Sequence, residues 1–476
     1  MTPLAYQELE FPNYVNTNVV MKIPCKKSDP NKADSGIDFI AEATLCDIIY
    51  AAELSRLNML LVGDTGCGKT QLANDIVWHH FNGTGKEGKA NRTQGRINAS
   101  PTDDLFTRER VNIEKGVYDS KLCREIDHDR ASRSLNFVDE FNRAPEPLQS
   151  YALDQLDGTF MFGQDSVPLG TEGYSLFICT ANKSEMNTEH TGLFEISRAV
   201  VSRMHLTLPL DHETFSKTYE DTAKYQSKNP DCRVITPPPQ DLSNKIIFAN
   251  KEITAIARSN IPEFLLFEYL ISNGLQYCAK DVSKKKRGGW PQYCEGCTLF
   301  KAEDKLCSLI KHTSTRTAKS VKLFAVGLDY LMKLKYQQDL YIDPLDICLE
   351  AFKLTAYHGN LNDAVLHNED NQGAPQTLMN TVIEQLKTQV KIIKDYRLEN
   401  RTLATKLVTY SIGAEDSVTI NADDPTTKQC ITLSENIAKK RKVPFNQNTR
   451  ELEQELHAKG TGTEWIDSYN KKVSDA

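Results

Sequence analysis

Residues 63–70 read GDTGCGKT, and this segment constrains the fold more than any other part of the chain. It matches the pattern G-x-x-x-x-G-K-[ST], follows the apolar run Met59–Val62 and precedes the helical run 71–81. Glycines let a backbone wrap around an anion, so that N–H groups and a helix N-terminus face phosphate oxygens. The sequence therefore predicts a phosphate-binding loop at the end of a buried strand. The predicted binding residues are Gly63, Asp64, Thr65, Gly66, Cys67, Gly68, Lys69 and Thr70.

Two side chains of this loop have specific expected roles. Lys69 is predicted to reach the β- and γ-phosphates of a nucleoside triphosphate. The hydroxyl of Thr70 is predicted to take a position on Mg²⁺. A chance glycine-rich turn is the alternative, and the strand and helix on either side argue against it.

About seventy residues later, the apolar run Leu135–Val138 ends in two acids, Asp139 and Glu140. Asp139 is predicted to hold Mg²⁺, and Glu140 to orient or deprotonate the attacking water. An ATPase that drives motion needs this second carboxylate, whereas a kinase or a signalling GTPase does not. No N-K-x-D guanine-reading motif appears where one is expected. The sequence therefore predicts a Mg²⁺-dependent ATP hydrolase.

The segment around the nucleotide motif alternates short apolar runs with helical stretches. The runs MLLV, LNFV and LFICT are rich in branched or aromatic residues, as in parallel strands that are buried on both faces by helices. This pattern predicts an α/β fold with a parallel sheet. The run Ile37–Leu57 is amphipathic and predicts a helix.

Composition sets limits on the class of protein. The chain has 39% hydrophobic and 25% charged residues, which is typical of a globular protein. Its net charge of -7 is unlike that of a protein that binds nucleic acid through its overall positive charge. The N-terminus has no basic stretch followed by an apolar run, and apolar runs are too short to span a bilayer. We expect a cytoplasmic protein with no membrane span.

The residues from Phe137 onward read FVDEFNRAPEPLQSYALDQLDGTFMFG, and they resemble the MoxR-like AAA+ ATPases, in which a DE-[IF]-N-R-A motif leads a helix and a β-hairpin. The resemblance covers residues 37–361. It continues through the segments RINASPTDDLFTRER, LFICTANKSE, ISRAVVSRMHLTLPLD and STRTAKSVKLFAVG.

The resemblance implies an AAA+ P-loop core with a parallel sheet and an α-helical lid domain, and the amphipathic pattern from Leu378 onward predicts a helical C-terminal extension. The expected boundaries are an N-terminal segment at 1–36, a nucleotide-binding domain at 37–225, a lid at 240–362 with a cysteine-bearing insertion at 278–307, and the extension at 376–476, which could bind a partner. Apolar residues of this extension recur at helical spacing, which is more typical of ordinary packing than of a recognition groove.

The resemblance also implies roles for three more residues. Asn182, at the end of an apolar strand, would hold the attacking water near the γ-phosphate. Arg203 would be an arginine finger that reaches the nucleotide of the neighbouring subunit, and Arg316 would contact the γ-phosphate from the same subunit. A surface arginine is otherwise usually a solvated side chain.

The match departs from the family pattern near the finger. This chain reads Ser202-Arg203-Met204 where the family has D-R-F, so Arg198 is a rival finger. Asn142 and Arg143 belong to the family motif, and a structural role at the subunit interface is as compatible with it as a catalytic one.

Four of the twelve cysteines cluster within thirty residues. The central pair forms a C-x-x-C knuckle, in which glycine allows the tight turn that aims two thiolates at one ion. Four thiolates could hold Zn²⁺ or an iron–sulfur cluster, and reduced thiols without a metal are the third alternative. These residues are Cys278, Cys294, Cys297 and Cys307.

The leading hypothesis is a homo-oligomeric ring, expected to be hexameric, that uses ATP hydrolysis to remodel or mature a partner. The resemblance implies a client or a partner that carries a von Willebrand factor A domain. A nucleic-acid motor of a mobile-element, viral or restriction system is the alternative, favoured only by the basic segments 284–287 and 439–442 and the cysteine knuckle. A structural ATP-binding module with slow hydrolysis is a third reading.

Overall fold

The part of the chain that the computed structural model describes comprises residues 3–11, 17–27, 37–94, 106–112, 121–162, 164–182, 196–228, 238–258, 262–272, 306–311, 313–337, 340–371, 373–387 and 390. The chain divides into two compact units, Met1–Arg258 with Thr315–Asn360 and Ser259–Ser314 with Leu361–Ala476.

Helices and strands are numbered here in chain order. They are α1 (Tyr6–Leu9), β1 (Val19–Lys27), β2 (Ile37–Thr44), α2 (Leu45–Leu54), β3 (Met59–Gly63), α3 (Lys69–Phe81), β4 (Ala90–Gln94), β5 (Thr107–Asn112), β6 (Lys121–Ile126), α4 (His128–Ala131), β7 (Leu135–Asp139), α5 (Glu146–Leu156), β8 (Thr159–Phe162), β9 (Asp165–Pro168), β10 (Leu176–Asn182), α6 (Arg198–Val201), β11 (Leu206–Pro209), α7 (Tyr219–Lys228), α8 (Ser243–Arg258), α9 (Pro262–Ser272), α10 (Leu306–Leu309), α11 (Thr315–Tyr336), β12 (Leu340–Ile342), α12 (Pro344–Phe352) and α13 (Asp363–Leu366).

A five-stranded parallel sheet forms the centre of the first unit, with the order β11-β3-β10-β7-β4. Every residue of β3, β7 and β11 is buried. Helices that cover both faces explain why these strands are apolar along their length. The predicted α/β fold and its strands MLLV, LNFV and LFICT are confirmed.

The edge strand β4 lacks the apolar pattern of the central strands. Its sequence is ANRTQ, and only its first two residues are buried. Because β4 has one neighbour in the sheet, its polar side chains remain near solvent. Only pairing with β7, Ala90 opposite Leu135, identifies it as part of the core sheet.

The predicted helix over 37–57 is wrong in its first half. Ile37–Thr44 is the strand β2, which pairs antiparallel with β1, and the helix α2 begins only at Leu45. Ala41 and Ala43 are buried, with Glu42 exposed between them, as a strand requires. Thr44 and Asp47 form a capping box that starts the helix, with Asp47 Oδ2 accepting the Thr44 N–H at 2.7 Å.

Two hairpins and a long helix complete the first unit. The strands β5 and β6 pair with each other, and β8 and β9 form a second hairpin directly after α5. The helix α11 packs along α2 and α8. This packing explains why α2 is buried almost all round.

In the second unit, the described helices are α9, α10, α13 and residues 375–387. Leu378, Val382 and Leu386 are buried, which confirms that their helical spacing reflects ordinary packing. Nothing beyond residue 390 is among the described residues. Of the helices described in both units, none is long and apolar enough to cross a membrane.

Candidate nucleotide site

The loop 63–70 joins the central strand β3 to α3 at the carboxyl ends of the strands. Gly66 and Gly68 have φ values of +90° and +97°, a left-handed conformation that side chains with a Cβ rarely adopt. Gly68 caps α3, and its carbonyl accepts the Leu72 N–H at 2.9 Å as the first helical bond. The loop thus leads into the N-terminus of α3, and a helix N-terminus favours an anion.

Lys69 lies inside this loop. Its ammonium donates to the carbonyls of Gly63 at 2.8 Å and Asp64 at 2.7 Å, and it lies 3.6 Å from Cys67 Sγ. The residue is only 7% exposed. A buried cation needs such partners, and phosphate oxygens could replace the carbonyls because they carry full negative charge.

The acid pair begins with Asp139, the buried last residue of β7. Its Oδ1 accepts from the hydroxyl of Thr70 at 3.0 Å and from that of Thr180 at 2.7 Å. The two residues predicted to hold Mg²⁺ are therefore in contact. A hydroxyl and a carboxylate supply the oxygen ligands that Mg²⁺ prefers, so this pair fits the ion.

Glu140 follows at the point where the strand ends. Its φ of +56° is left-handed, which costs roughly 1–3 kcal/mol for a residue other than glycine. Its N–H donates to Thr180 Oγ1 at 2.7 Å, and its carboxylate lies 3.0 Å from Arg143 Nε. The carboxylates of Asp139 and Glu140 contact different partners, so the two acids can act on different groups.

Asn182 ends β10 directly beside the loop, because it is in register with Gly63. Asn142 Nδ2 donates to the Asn182 carbonyl at 2.8 Å, and Asn142 Oδ1 accepts the Asn182 N–H at 3.3 Å. This side chain ties the segment after Glu140 to the end of β10. The geometry gives Asn142 an architectural role within its own subunit.

Sequence reasoning missed two residues of this site. Thr180 joins both acids, and the only sequence signal was a threonine two positions before Asn182 in an apolar strand. Arg92, on β4, lies 3.5 Å from Asp139 Oδ2, with its guanidinium 5.3 Å from the centre of the Phe137 ring. No sequence signal points to Arg92, because the contact depends on which strand lies beside β7.

Arg203 lies at the amino ends of the strands, whereas the loop lies at their carboxyl ends. Its carbonyl accepts from Asn58 Nδ2 at 3.1 Å, and Asn58 immediately precedes β3 whereas the loop follows it. A five-residue strand spans about 15 Å. The guanidinium of Arg203 donates from Nε to Asp157 Oδ2 at 2.8 Å.

Arg316 lies beside Arg203 rather than beside Lys69. Its NH1 donates to Ser202 Oγ at 3.2 Å, and its NH2 lies 4.0 Å from Asp157 Oδ2. The rival Arg198 donates to the Gly359 carbonyl at 3.3 Å. The structure thus separates two groups of the predicted residues: the loop, acids and Asn182 lie at the carboxyl ends of the strands, and Arg203 and Arg316 lie at the amino ends.

The predicted cysteine cluster falls outside the part of the chain that the structure describes. Cys278, Cys294 and Cys297 lie outside the described residues, and the side chain of Cys307 does as well. No group of three or more His, Cys, Asp or Glu side chains suited to a metal occurs in the described ranges. Elsewhere, Cys179 and Cys348 are buried and free, and burial raises the pKa of both thiols.

Comparison with known proteins adds a structural likeness. No family model matches the chain, and no curated protein matches it. Solved structures do match, among them a protein from Cytophaga hutchinsonii that is assigned as an ATPase. The two are 18% identical, the match covers 70% of this chain and 88% of that chain, and the TM-score is 0.47. The chain's own strand order and glycine-rich loop establish that its core has an α/β P-loop fold of the AAA+ type.

Proposed function

We propose that the protein binds ATP with Mg²⁺ at the loop 63–70 and hydrolyses it as a MoxR-like AAA+ ATPase. One observation carries the proposal: the Thr70 hydroxyl contacts Asp139 at 3.0 Å, with Glu140 next in the chain. Thr70 and Asp139, the two residues that could bind Mg²⁺, are thus in contact, and the second carboxylate, Glu140, follows Asp139.

Each residue of the site has a role in the proposal. Loop N–H groups and Lys69 bind the polyphosphate, and Thr70 and Asp139 hold Mg²⁺. The ion would supply positive charge that offsets the negative charge of the phosphates. The Glu140 carboxylate leaves Arg143 and contacts the attacking water, which it orients or deprotonates. Asn182 holds that water near the γ-phosphate.

The position of the arginines favours action between subunits. Arg203 and Arg316 lie at the amino ends of the strands, about 15 Å from the carboxyl ends where their own loop lies. A positive charge at the transferred phosphate accelerates hydrolysis by large factors. We therefore assign both arginines to the neighbouring subunit's nucleotide, in place of the same-subunit contact that the resemblance implies for Arg316.

This arrangement supports a closed ring, for which six subunits are proposed. Each subunit then offers a loop on one side and arginines on the other, which is a head-to-tail interface. Hydrolysis would drive the remodelling or maturation of a client protein, such as one bearing a von Willebrand factor A domain. The extension at 376–476 is proposed to bind a partner.

Binding and hydrolysis are tested separately with purified protein. We expect Lys69→Ala to weaken ATP binding at least about thirtyfold, because a charged phosphate contact is lost. Glu140→Gln should keep ATP binding and reduce kcat by about 100-fold or more. Lys86→Ala, an exposed lysine outside the site, is the matched control for Lys69→Ala.

Two results would contradict the proposal: no binding of adenine nucleotides by the wild type, or full binding by Lys69→Ala. The Glu140→Gln protein, held with ATP, also serves to capture the client, since a motor that cannot hydrolyse ATP retains it. Strong stimulation of hydrolysis by nucleic acid, with steep salt dependence, would favour a nucleic-acid motor instead.

A further inference from the structure

Asp157 lies between the two arginines that the proposed function assigns to the neighbouring subunit. Its Oδ2 accepts from Arg203 Nε at 2.8 Å and lies 4.0 Å from Arg316 NH2. Arg316 also donates to Ser202 Oγ at 3.2 Å, one residue before Arg203. One carboxylate is therefore shared by two guanidinium groups that come from different parts of the chain.

The backbone around Asp157 and Arg203 is fixed by one buried amide. Asn58 Nδ2 donates to the Leu156 carbonyl at 2.8 Å and to the Arg203 carbonyl at 3.1 Å. Its Oδ1 accepts the Phe177 N–H at 3.0 Å. Asn58 thus holds the residue before Asp157 and Arg203 itself against the amino ends of β3 and β10, the two strands that lead to the loop and to Asn182.

A buried imidazole holds the same segment from the other side. His358 donates from Nε2 to the Met204 carbonyl at 2.7 Å, and its Nδ1 accepts from the hydroxyl of Thr317 at 3.3 Å. Thr317 follows Arg316, and Met204 follows Arg203. The backbones of the two arginines are therefore linked, while Asp157 links their side chains.

The charge balance explains why a carboxylate is needed there. Two guanidinium groups that approach one another repel, and a shared anion offsets part of that repulsion. Arg203 is 18% exposed and Asp157 44% exposed as side chains, so water screens the pair only in part. With Asp157 in place, the three groups keep a net positive charge and can still attract a phosphate.

We propose that Asp157 is a positioning residue for the arginine pair: it holds Arg203 and Arg316 side by side, so that both reach the nucleotide of the adjoining subunit. This inference rests on the proposed function. Asp157 acts only in the subunit that supplies the arginines. Its loss lowers the rate of hydrolysis in the neighbouring subunit and leaves ATP binding in its own subunit unchanged.

The test mixes subunits that are each inactive alone. Lys69→Ala lacks a nucleotide site but keeps its arginines, whereas Arg203→Ala keeps the site but lacks the finger. In mixed rings, an Arg203→Ala site that faces a Lys69→Ala neighbour regains hydrolysis. We expect Lys69→Ala/Asp157→Ala to give about tenfold less recovered activity or lower.

Matched variants separate positioning from folding. Asp154→Asn removes an exposed charge on α5, three residues before Asp157, and Lys69→Ala/Asp154→Asn should restore activity as well as Lys69→Ala does. Asp157→Asn keeps an oxygen that can accept from Arg203 Nε, so it should recover part of the rate. Asp157→Ala alone should bind ATP like the wild type and show a lower kcat with a similar KM.

The outcomes distinguish the role of Asp157 from the action of the arginines between subunits. Equal recovery with and without Asp157 overturns this inference alone, and so does a faster rate in Asp157→Ala, which would mark Asp157 as an inhibitor of the arginines. If mixing Lys69→Ala with Arg203→Ala restores nothing, arginine action between subunits is wrong, and the role of Asp157 falls with it.

Discussion

The hydroxyl of Thr180 donates a 2.7 Å hydrogen bond to Asp139 Oδ1, and it also accepts one of 2.7 Å from the Glu140 N–H. A single side chain on β10 thus orients the carboxylate proposed to hold Mg²⁺ and fixes the backbone of the next acid. Neither bond involves the loop 63–70. Changes at Thr180 should therefore affect hydrolysis more than ATP binding.

Thr180→Val tests this arrangement with a side chain of nearly the same shape. The valine side chain forms no hydrogen bonds, so Asp139 loses one donor and the Glu140 N–H loses its acceptor, at a cost of about 1–3 kcal/mol. We expect kcat to fall about tenfold while the ATP dissociation constant changes little. Thr180→Ser should recover most of the rate, and a valine variant with wild-type kcat would rule out the role.

Arg92 should weaken the binding of Mg²⁺ beside Asp139. Its guanidinium lies 3.5 Å from Asp139 Oδ2, and a positive charge there repels a divalent cation. In Arg92→Ala, the half-saturating Mg²⁺ concentration for hydrolysis should fall about threefold or more, whereas Arg92→Lys should stay near the wild type. An unchanged Mg²⁺ dependence in Arg92→Ala would contradict this assignment.

Gly327 allows α11 to approach α2. A Cβ at this position would lie 1.9 Å from Ser55 Oγ and 2.9 Å from the Ala51 carbonyl oxygen. Alanine would stabilise an unconstrained helix, but here the clash should lower the free energy of unfolding by about 1–3 kcal/mol. Thermal unfolding measures the loss, and adding Ser55→Ala should return part of it. A higher Tm in Gly327→Ala would show that the helices can separate freely.

Asp75 makes stability depend on pH. Burial raises its pKa to about 7, against the lowering effects of the Gln71 hydrogen bond and the Lys217 charge. The pKa in unfolded chains is about 3.9. Between these two values the folded protein keeps a proton that the unfolded chain releases, so stability falls as pH rises from about 4 to 7.

Asp75→Asn removes this titration and should therefore be more stable than the wild type above pH 7. We expect a gain of about 1–3 kcal/mol at pH 8 that shrinks towards zero near pH 4. Denaturant unfolding of both proteins at the two pH values measures it. A difference that is equal at pH 4 and pH 8 would show that the Asp75 proton does not control stability.

Elements with strong local patterns were predictable. The glycine-rich loop, the buried strands β3, β7 and β10 and the acid pair each follow from a few adjacent residues. The segment of β2 suits a helix as well as a strand, since Ala41 and Ala43 fit either structure, and only its pairing with β1 distinguishes the two. The polar edge strand β4 had no apolar pattern to reveal it.

The loop that suits phosphate, the acids that follow a buried strand and the α/β class of the core can be read from adjacent residues. The side chains that meet those acids, and the place of the arginines, depend on how the chain packs. Thr180 and Arg92 reach Asp139 because β10 and β4 flank β7, and Asp157 meets Arg203 and Arg316 across long stretches of chain. The physical reason is that loop shape and burial pattern are local properties, whereas hydrogen bonds between strands depend on sheet order and register.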